Sequence, residues 1–442
     1  MPERYLSLGA GVVILTGSIF WQSYSIERYQ TLSLLLTFTL AFAAYLWIYF
    51  QVQHSKEWVV LIAAALLIRL MLLPMMPNLS DDVYRFVWDG RLLIQGEDPF
   101  AYSPDELMQR GYDKDLAGID QELYQSLNSP GYFTIYPPVH QAVFALSAWL
   151  GSSVWQSAVI IRLLLILGEC LTFWLLSRLF RQHRISQKTL LLYALNPLVI
   201  VELTGNLHFE GLMVTFLLLS YWLMKQQKLL LSASGFGLAV CTKLLPLMLL
   251  PLYLRRLGWK KAAVYYLTVG GVVFLLFAPL LSEALLRGLS NSIGLYFQKF
   301  EFNASLYYIV REIGYELKGY NTIATSGRQL ALAAFAGIII FSLLERKKHL
   351  PAAWMWVWLI YMLSATTVHP WYIVPLFVFS LFSGYRFALL WTALVFFSYA
   401  GYEQNGFNEN LWLTFIEYLL VLGMLVLELW KGPAADWGAS KL

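Results

Sequence analysis

The chain has 442 residues, of which 59% are hydrophobic, 16% aromatic and only 13% charged. A soluble protein carries about 25% charged residues, so this composition excludes an ordinary soluble fold. The formal net charge of +4 is small and spread over short loops, which excludes a nucleic-acid-binding surface.

Apolar stretches long enough to cross a bilayer recur from end to end. Two stretches differ: 137–150 is too short and suits a re-entrant or interfacial helix, whereas 229–254 is too long for one span. The polar pair Thr242-Lys243 interrupts the second stretch, which predicts two short helices with Lys243 at the bend. The other predicted spans are 5–21, 31–51, 58–76, 154–177, 189–203, 208–224, 261–281, 328–344, 351–366, 370–383, 386–400 and 410–430. We therefore predict an all-α polytopic membrane protein.

Four basic loops, 178–188, 225–228, 255–261 and 346–348, predict the sidedness. Loops rich in Lys and Arg face the cytoplasm. All four lie on one side only if 137–150 does not cross and 229–254 turns back on itself. Both termini are then cytoplasmic, and the acidic loop 77–135, the Lys243 bend, the loop 282–327 and residues 367–369 face outward. We expect one transmembrane catalytic domain over 1–442.

The first external loop opens with a predicted amphipathic helix on the membrane surface. At 100° per residue, Asp81, Asp82, Arg85 and Asp89 share its polar face. Helix capping and i,i+4 pairs of Arg85 with Asp81 and Asp89 explain such a pattern in many solvated helices. Because two carboxylates at the membrane exit are well placed to meet a lipid-borne substrate, we also consider Asp81 and Asp82 candidate catalytic residues. Arg85 and Asp89 on the same face are candidate substrate-binding residues.

Further polar candidates lie where predicted spans meet the outside. Tyr136 and His140 lie at the start of the short helix. They either shape the substrate site or belong to a rigid proline turn that begins the helix. Asn206, His208 and Glu210 are either end-of-span residues or ligands for sugar hydroxyls. His208 and Glu210 are two residues apart, which is a weak metal signal, and no cofactor is expected.

The remaining candidates bind a phosphate or a sugar. Lys243, far from both basic ends of its hairpin, must reach the interface, pair with an acid or bind an anion, and we favour the anion. His369 and Trp371 lie at an external span end, where aromatic residues also occur as a simple interfacial belt. Lys299 and Asn303 supply a cation and an amide in the loop 282–327.

These residue types suit sugar transfer from a lipid phosphate. The leaving group is a phosphate monoester anion, so it needs cations such as Lys243, His369, Lys299 or Arg85. The acceptor hydroxyl needs a base, and a carboxylate serves because the oxocarbenium-like transition state is strongly electrophilic. The sequence contains no Walker loop or dinucleotide-binding fingerprint to suggest other chemistry.

At these positions the chain resembles the C-type (GT-C) polyprenyl-phosphate-dependent glycosyltransferases, in particular their bacterial mannosyltransferase-like members. The motifs that carry the resemblance are Ser80-Asp81-Asp82-Val83-Tyr84-Arg85, Trp88-Asp89-Gly90, Tyr136-Pro137-Pro138, Gly205-Asn206-Leu207-His208-Phe209-Glu210 and His369-Pro370-Trp371-Tyr372. The resemblance implies a membrane helix bundle with amphipathic helices in the first external loop, with the catalytic base in Asp81-Asp82. Two spans precede the span that feeds the loop where this family usually has one, and Glu210 replaces an expected Asp.

The resemblance also implies the reaction and its partners. We expect inverting transfer of a sugar, mannose by resemblance, from a polyprenyl-phosphate donor to a hydroxyl of a lipid or glycan acceptor, outside the bacterial inner membrane. Two other classes compete, a transporter or flippase and a glycan polymerase or ligase. A transporter should show two matched halves with interrupted helices, and the acidic loop has no counterpart. A ligase for diphosphate-linked glycans should carry arginine-rich external loops.

Overall fold

A computed structural model describes residues 2–111, 115–285, 288, 300–346, 349–404 and 406–433. In these ranges six helices are long and apolar enough to cross a membrane, and a seventh span is formed if one bent helix pair is counted. The prediction of an all-α polytopic membrane protein is confirmed.

The chain begins with a helical hairpin, α1 (Pro2–Ser25) and α2 (Thr31–Gln51), followed by α3 (Ser55–Met71). α3 leads into the acidic loop. That loop contains α4 (Asp82–Ile94), α5 (Pro104–Gln109) and α6 (Gln121–Gln125), and the short α7 (Pro138–Leu150) follows it. The predicted short helix in 137–150 is therefore present.

α4 packs tightly on α7 through its apolar face, where Phe86 stacks on Phe144. A Cβ added at Gly90 would lie 2.3 Å from the carbonyl oxygen of Phe144, so only glycine permits this approach. On the polar face of α4, Arg85 and Asp89 are buried as well. The expected helix exists, but the prediction that its polar face looks into water is wrong for these two residues.

The predicted span 189–203 is broken. After α8 (Val154–His183) come α9 (Leu190–Ala194) and a π-helical segment, Val199–Gly205, bent by 59°. In a membrane, backbone groups freed by such a break need internal partners. At the break, Arg69 donates to the carbonyl oxygen of Ala194 at 2.8 Å, and the Asn196 side chain accepts from the Leu198 amide at 2.9 Å. The buried Arg162 guanidinium holds the end of the π-helical segment, because it donates to the carbonyl oxygens of Thr204 and Gly205 and to those of Leu73 and Met75 at 2.7–3.0 Å.

The Lys243 region forms the predicted bend with a different second arm. α10 (Glu210–Lys225) and α11 (Leu229–Thr242) are followed by Lys243 in an extended conformation. A single 3₁₀ segment, Leu245–Leu249, then leads into α12 (Pro251–Phe277). α12 is interrupted at Gly258, which has φ 73° and ψ 158°.

The C-terminal half comprises α13 (Leu306–Lys318), α14 (Ile323–Leu344), α15 (Leu350–Ser364), a 3₁₀ turn (Pro370–Tyr372), α16 (Ile373–Ser380), α17 (Phe387–Leu394), a 3₁₀ segment (Val395–Gly401) and α18 (Leu411–Lys431). A two-stranded hairpin, β1 (Tyr402–Glu403) and β2 (Gly406–Phe407), precedes α18. α14 thus begins before residue 328, inside the predicted loop 282–327. Lys299 lies outside the described residues.

Candidate functional site

Lys243 stands at the centre of a cluster contributed by several separate segments. Its ammonium group pairs with the carboxylate of Glu210, the first residue of α10, and lies 4.8 Å from the ring centre of Tyr372. The Glu210 side chain is 2% exposed, whereas that of Lys243 is 22% exposed. The cation therefore pairs with an acid, one of the three alternatives that the sequence left open, yet it retains access to the surface. Anion binding by Lys243 stays a prediction.

A stack of three rings joins two motifs that are distant in sequence. Trp371 stacks on His208 with ring centres 3.5 Å apart, and on His369 with ring centres 4.5 Å apart. Since an imidazole covers each face of the indole, Trp371 can offer only its edge to a ligand. His208 Nε2 lies 3.4 Å from a carboxylate oxygen of the buried Glu202.

Tyr136 and His140 line the same region from the short helix α7. The His140 ring stacks on Phe209 at 4.0 Å between centres and lies 5.3 Å from Tyr136. Both side chains are within electrostatic range of the cluster, Tyr136 of Asp82 and His140 of Lys243. α7 therefore connects the acidic helix α4 to the start of α10.

Asp82 is the carboxylate of the acidic loop that faces this cluster. Burial raises its pKa above the usual aspartate value, opposed by a hydrogen bond from Asn128 and by the positive charge of Lys243. The Asn128 amide nitrogen lies 3.1 Å from Asp82 Oδ1. Such tuning of one carboxyl in a pair is a common feature of acid–base sites.

Asp81 precedes α4 and pairs with a residue that the sequence analysis missed. Arg28, in the loop between α1 and α2, lies 2.6 Å from Asp81 Oδ2, and its guanidinium lies 5.2 Å from the ring centre of Tyr402. The predicted Asp81–Arg85 pair is therefore wrong. One signal was available: the predicted topology places Arg28 outside, where basic residues are uncommon.

Arg85 and Asp89 belong to a closed network below the acidic pair. Arg85 donates to Asp89 and to the carbonyl oxygen of Tyr132, each at 2.8 Å. Asp89 also accepts hydrogen bonds from Thr134 at 2.5 Å and from Gln141 at 3.0 Å. These contacts fix α4 to the end of the loop and leave Asp89 no exposed surface.

The two candidate asparagines hold backbone segments in place. Asn206 accepts a hydrogen bond from the Leu79 amide at 3.1 Å and so fixes the chain just before Asp81. The side-chain amide of Asn303 donates to the buried Glu417 carboxylate at 3.1 Å, and the backbone N–H of Asn303 donates to the Glu409 carboxylate. Asn303 follows Phe302, whose ring lies 4.7 Å from His369.

The structure thus brings together Asp82, Tyr136, His140, His208, Glu210, Lys243, His369 and Trp371, with Asp81 and Arg28 at the outer edge. This arrangement combines partly exposed carboxylates at an edge with a cation, imidazoles and phenols behind them. Such a set can accept a proton from a hydroxyl and stabilise an anion a short distance away.

Comparison with known proteins identifies the family. Residues 7–257, more than half of the chain, match the family described as alpha-(1->6)-mannopyranosyltransferase, N-terminal domain. The chain is 31% identical over 144 residues to alpha-(1->6)-mannopyranosyltransferase B of Corynebacterium glutamicum, covering 32% of this chain and 23% of that protein. A probable alpha-(1->6)-mannopyranosyltransferase of Mycolicibacterium smegmatis is 24% identical over 148 residues, covering 32% and 24%.

The aligned regions span about a quarter of each of these relatives, and no solved structure matches the chain. The family match covers the acidic loop, the broken span and Lys243, and it confirms the resemblance to GT-C mannosyltransferase-like proteins found in the motifs. The chain belongs to the alpha-(1->6)-mannopyranosyltransferase family.

Proposed function

We propose that the protein is an inverting mannosyltransferase that transfers mannose from a polyprenyl-phosphate donor to a hydroxyl of a lipid or glycan acceptor, on the outer side of the bacterial cell membrane. The observation that carries this proposal is the grouping of an acidic pair, a lysine and an imidazole–indole stack at the ends of spans. Family membership supports mannose, and the relatives' names support a product with an alpha-(1->6) linkage.

Asp81 is the proposed base. Arg28 engages one carboxylate oxygen, while the side chain remains about one-third exposed to an acceptor. Asp81 takes the proton of the acceptor hydroxyl as that oxygen bonds to the anomeric carbon. The bond from the anomeric carbon to the phosphate oxygen breaks, and the electron pair leaves with the polyprenyl phosphate.

Lys243 is the proposed partner of the leaving phosphate. Glu210 pairs with the ammonium group at the centre of the cluster and holds it in place before the donor binds. A phosphate oxygen next to Lys243 would add a charge-assisted hydrogen bond that strengthens as charge develops on the leaving group. Tyr136, His140, His208 and His369 provide hydrogen-bonding groups around the sugar, and Trp371 contributes through its edge.

A transfer assay with purified protein tests the reaction. Radiolabelled polyprenyl-phosphate mannose and candidate acceptors should give labelled product without nucleotide sugars. Inversion at the anomeric carbon to an alpha product requires a beta-linked donor, so the alpha-linked anomer should be inert. Transfer from a nucleotide sugar alone, or equal use of both anomers, would overturn the proposal.

The outward orientation needs its own test. The four basic loops support an external active site. A cysteine at Glu97 should react with an impermeant thiol reagent in intact cells, whereas one at Lys228 should react only after lysis. Labelling of position 228 from outside would reverse the orientation.

A further inference from the structure

A cavity of about 260 Å³ lies at the end of α1 that adjoins the acidic loop. Ser23, Tyr24 and Glu27 contribute to one wall, and residues 75–78 form the other. The volume is just below the range of about 300–1,000 Å³ that holds drug-sized ligands. The cavity therefore suits a ligand of the size of a single sugar ring.

The cavity lies at the level of the membrane surface, where a water-soluble group can reach it. Trp21 and Tyr24, at the same end of α1, are 59% and 40% exposed, and such aromatic residues mark the border between the hydrocarbon and the head groups. The Asn78 side chain donates to the carbonyl oxygens of Gln22 and Ile26 at 2.8 and 2.7 Å. These two bonds hold the walls together, so the cavity is formed before a ligand binds.

Two adjacent polar side chains of the α1 wall are buried without a partner. Ser23, which lines the cavity, and Gln22, beside it in the chain, are 4% and 0% exposed. Neither the Ser23 hydroxyl nor the Gln22 amide has a hydrogen-bond partner among the described residues. Burial of an unbonded polar group costs free energy, and a ligand hydroxyl in the cavity would recover part of that cost.

The lining indicates the chemistry of the ligand. Among the residues that line the cavity, Glu27 carries the single charge, and a carboxylate repels a phosphate or another anion. The Ser23 hydroxyl and the Asn78 amide make the site too polar for an alkyl chain, whereas Tyr24 and Met75 add apolar surface. A neutral sugar, with hydroxyl groups at its rim and C–H groups on its faces, matches this combination.

The cavity adjoins the proposed base. Glu27 is followed in the chain by Arg28, which pairs with Asp81 at 2.6 Å. On the other wall, Asn78 precedes Asp81 by three residues, a length of chain that spans at most about 11 Å. Both walls therefore lead to the Asp81–Arg28 pair.

The proposed phosphate site belongs to a different part of the bundle. Lys243 follows α11, whereas the cavity is formed by α1 and the start of the acidic loop. Inversion requires the acceptor to attack the anomeric carbon on the face opposite the leaving phosphate. An acceptor in the cavity and a phosphate at Lys243 therefore do not compete for one place.

We infer that this cavity binds a neutral hexose unit of a glycan acceptor, namely the ring next to the one whose hydroxyl reacts. The inference rests on the proposed function and adds a binding site for the acceptor. Glu27 accepts hydrogen bonds from the hydroxyls of this ring, and Ser23 supplies a further bond. The reacting ring lies between the cavity and Asp81.

Two acceptors that differ by one ring test this placement. Octyl alpha-mannoside fills the reacting position alone, whereas octyl alpha-(1->6)-dimannoside also reaches the cavity. The wild type should have a KM for the dimannoside about tenfold or more below that for the monosaccharide, because the second ring adds a hydrogen bond to a carboxylate. Equal KM values for the two acceptors would overturn the inference and leave transfer itself intact.

Ser23→Ala and Glu27→Gln change the two proposed hydrogen-bonding groups. Each should raise the KM for the dimannoside about three- to tenfold and reduce its advantage over the monosaccharide. Ser25→Ala is the matched control, since Ser25 is an exposed serine of the same helix that does not line the cavity. It should keep the wild-type values.

A loss of affinity in Ser23→Ala can be separated from unfolding. Because the Ser23 hydroxyl bonds no described group of the protein, its removal should not lower the melting temperature. If the preference for the dimannoside is unchanged in both variants, or if the KM for the donor rises instead, the cavity is not an acceptor site.

Binding is also measured without transfer, by saturation-transfer-difference NMR with free alpha-(1->6)-mannobiose and the protein in nanodiscs. Both rings should receive saturation from the wild type, and the signal of the second ring should fall in Glu27→Gln. Saturation of one ring alone in the wild type would refute the site. If mannobiose binds through both rings but mannose is transferred to neither acceptor, the proposed function fails and the sugar site remains.

Discussion

Two groups of charged residues in this protein have similar composition and opposite surroundings. Inside the bundle, Arg69 and Glu169 pair at 3.0 Å with side chains 0% and 3% exposed. Arg69 also donates to the carbonyl oxygens of Ala65 and Ala194, and Tyr193 donates to Glu169 at 2.5 Å. At the proposed catalytic edge, Arg28, Asp81 and Lys243 are 36%, 33% and 22% exposed.

The difference in exposure suggests that the buried pair stabilises the fold, whereas the partly exposed residues take part in the proposed reaction. A buried pair such as Arg69–Glu169 is costly to break, because the remaining charge stays in a low-dielectric interior. A partly exposed pair can exchange one partner for a substrate group at small cost. In the sequence both groups are ionisable residues in or beside apolar stretches, so exposure, rather than residue type, distinguishes them.

The largest effect on activity should come from replacing Asp81, one of the partly exposed residues. Asp81→Asn keeps the shape of the side chain and removes its basicity, so kcat should fall by about 10²–10⁴-fold while expression and donor binding remain near normal. Steady-state kinetics with polyprenyl-phosphate mannose as the donor measures this change in kcat. Glu97→Gln, which neutralises an exposed acid of the same loop, is the matched control and should be fully active. Full turnover in Asp81→Asn would remove Asp81 from the mechanism.

Arg69→Ala should affect stability instead. It leaves Glu169 buried without its cation, and breaking a buried pair typically costs about 3–5 kcal/mol. Thermal unfolding in detergent should show a much lower midpoint, while kcat per folded molecule stays near the wild-type value. Replacing both partners, Arg69→Met with Glu169→Leu, should recover much of the lost stability. A selective loss of kcat in stable Arg69→Ala protein would contradict the division between the two groups.

Lys243→Ala tests whether Lys243, which pairs with Glu210, also binds the phosphate of the donor. Loss of a charge-assisted bond to phosphate should reduce kcat/KM about tenfold or more. The single change also leaves Glu210 buried without a cation, so the double variant Lys243→Ala with Glu210→Gln is the control. If phosphate binding is the cause, the double variant remains impaired. Recovery of wild-type kcat/KM in the double variant would assign Lys243 to neutralising Glu210 alone.

The smallest expected effect concerns Asp82 and pH. Its pKa is raised in the folded protein, mainly by burial, so ionised Asp82 destabilises the fold once the pH exceeds the ordinary aspartate value. Asp82→Asn removes that cost, so its melting temperature at neutral pH should exceed that of the wild type. Below the ordinary aspartate pKa both states of the wild type are protonated, and the difference should vanish. An equal difference at all pH values would show that the charge of Asp82 is not its source.

Much of the fold was predictable, because spans that cross a bilayer must be long and apolar. The Lys243 bend and the short helix 138–150 followed from the same constraints. The break within 189–203 was not predictable, since a carbonyl oxygen freed there, that of Ala194, is satisfied by Arg69, which is 125 positions away in the chain.

The site was predictable as a set of residues but not as a set of contacts. Spacing on a helix made Arg85 the natural partner of Asp81, yet the tertiary contact of Arg28 replaced it. The i,i+4 pair of Arg85 with Asp89 did form, because both residues belong to one helix. Local geometry therefore predicted local pairs, whereas the pairs between segments depend on how the spans pack.

Arg162 also affects how mutational data on this protein should be interpreted. One guanidinium group secures the carbonyl oxygens of Leu73 and Met75, just before the acidic loop, and those of Thr204 and Gly205, just before His208. Replacing it would loosen the loop that carries Asp81 and the segment that carries His208 in one step. A saturation screen scored only by growth would therefore rank Arg162 beside the acidic pair. Scoring protein abundance in parallel would separate them, because Arg162 variants would be depleted from the membrane and Asp81 variants would accumulate there inactive.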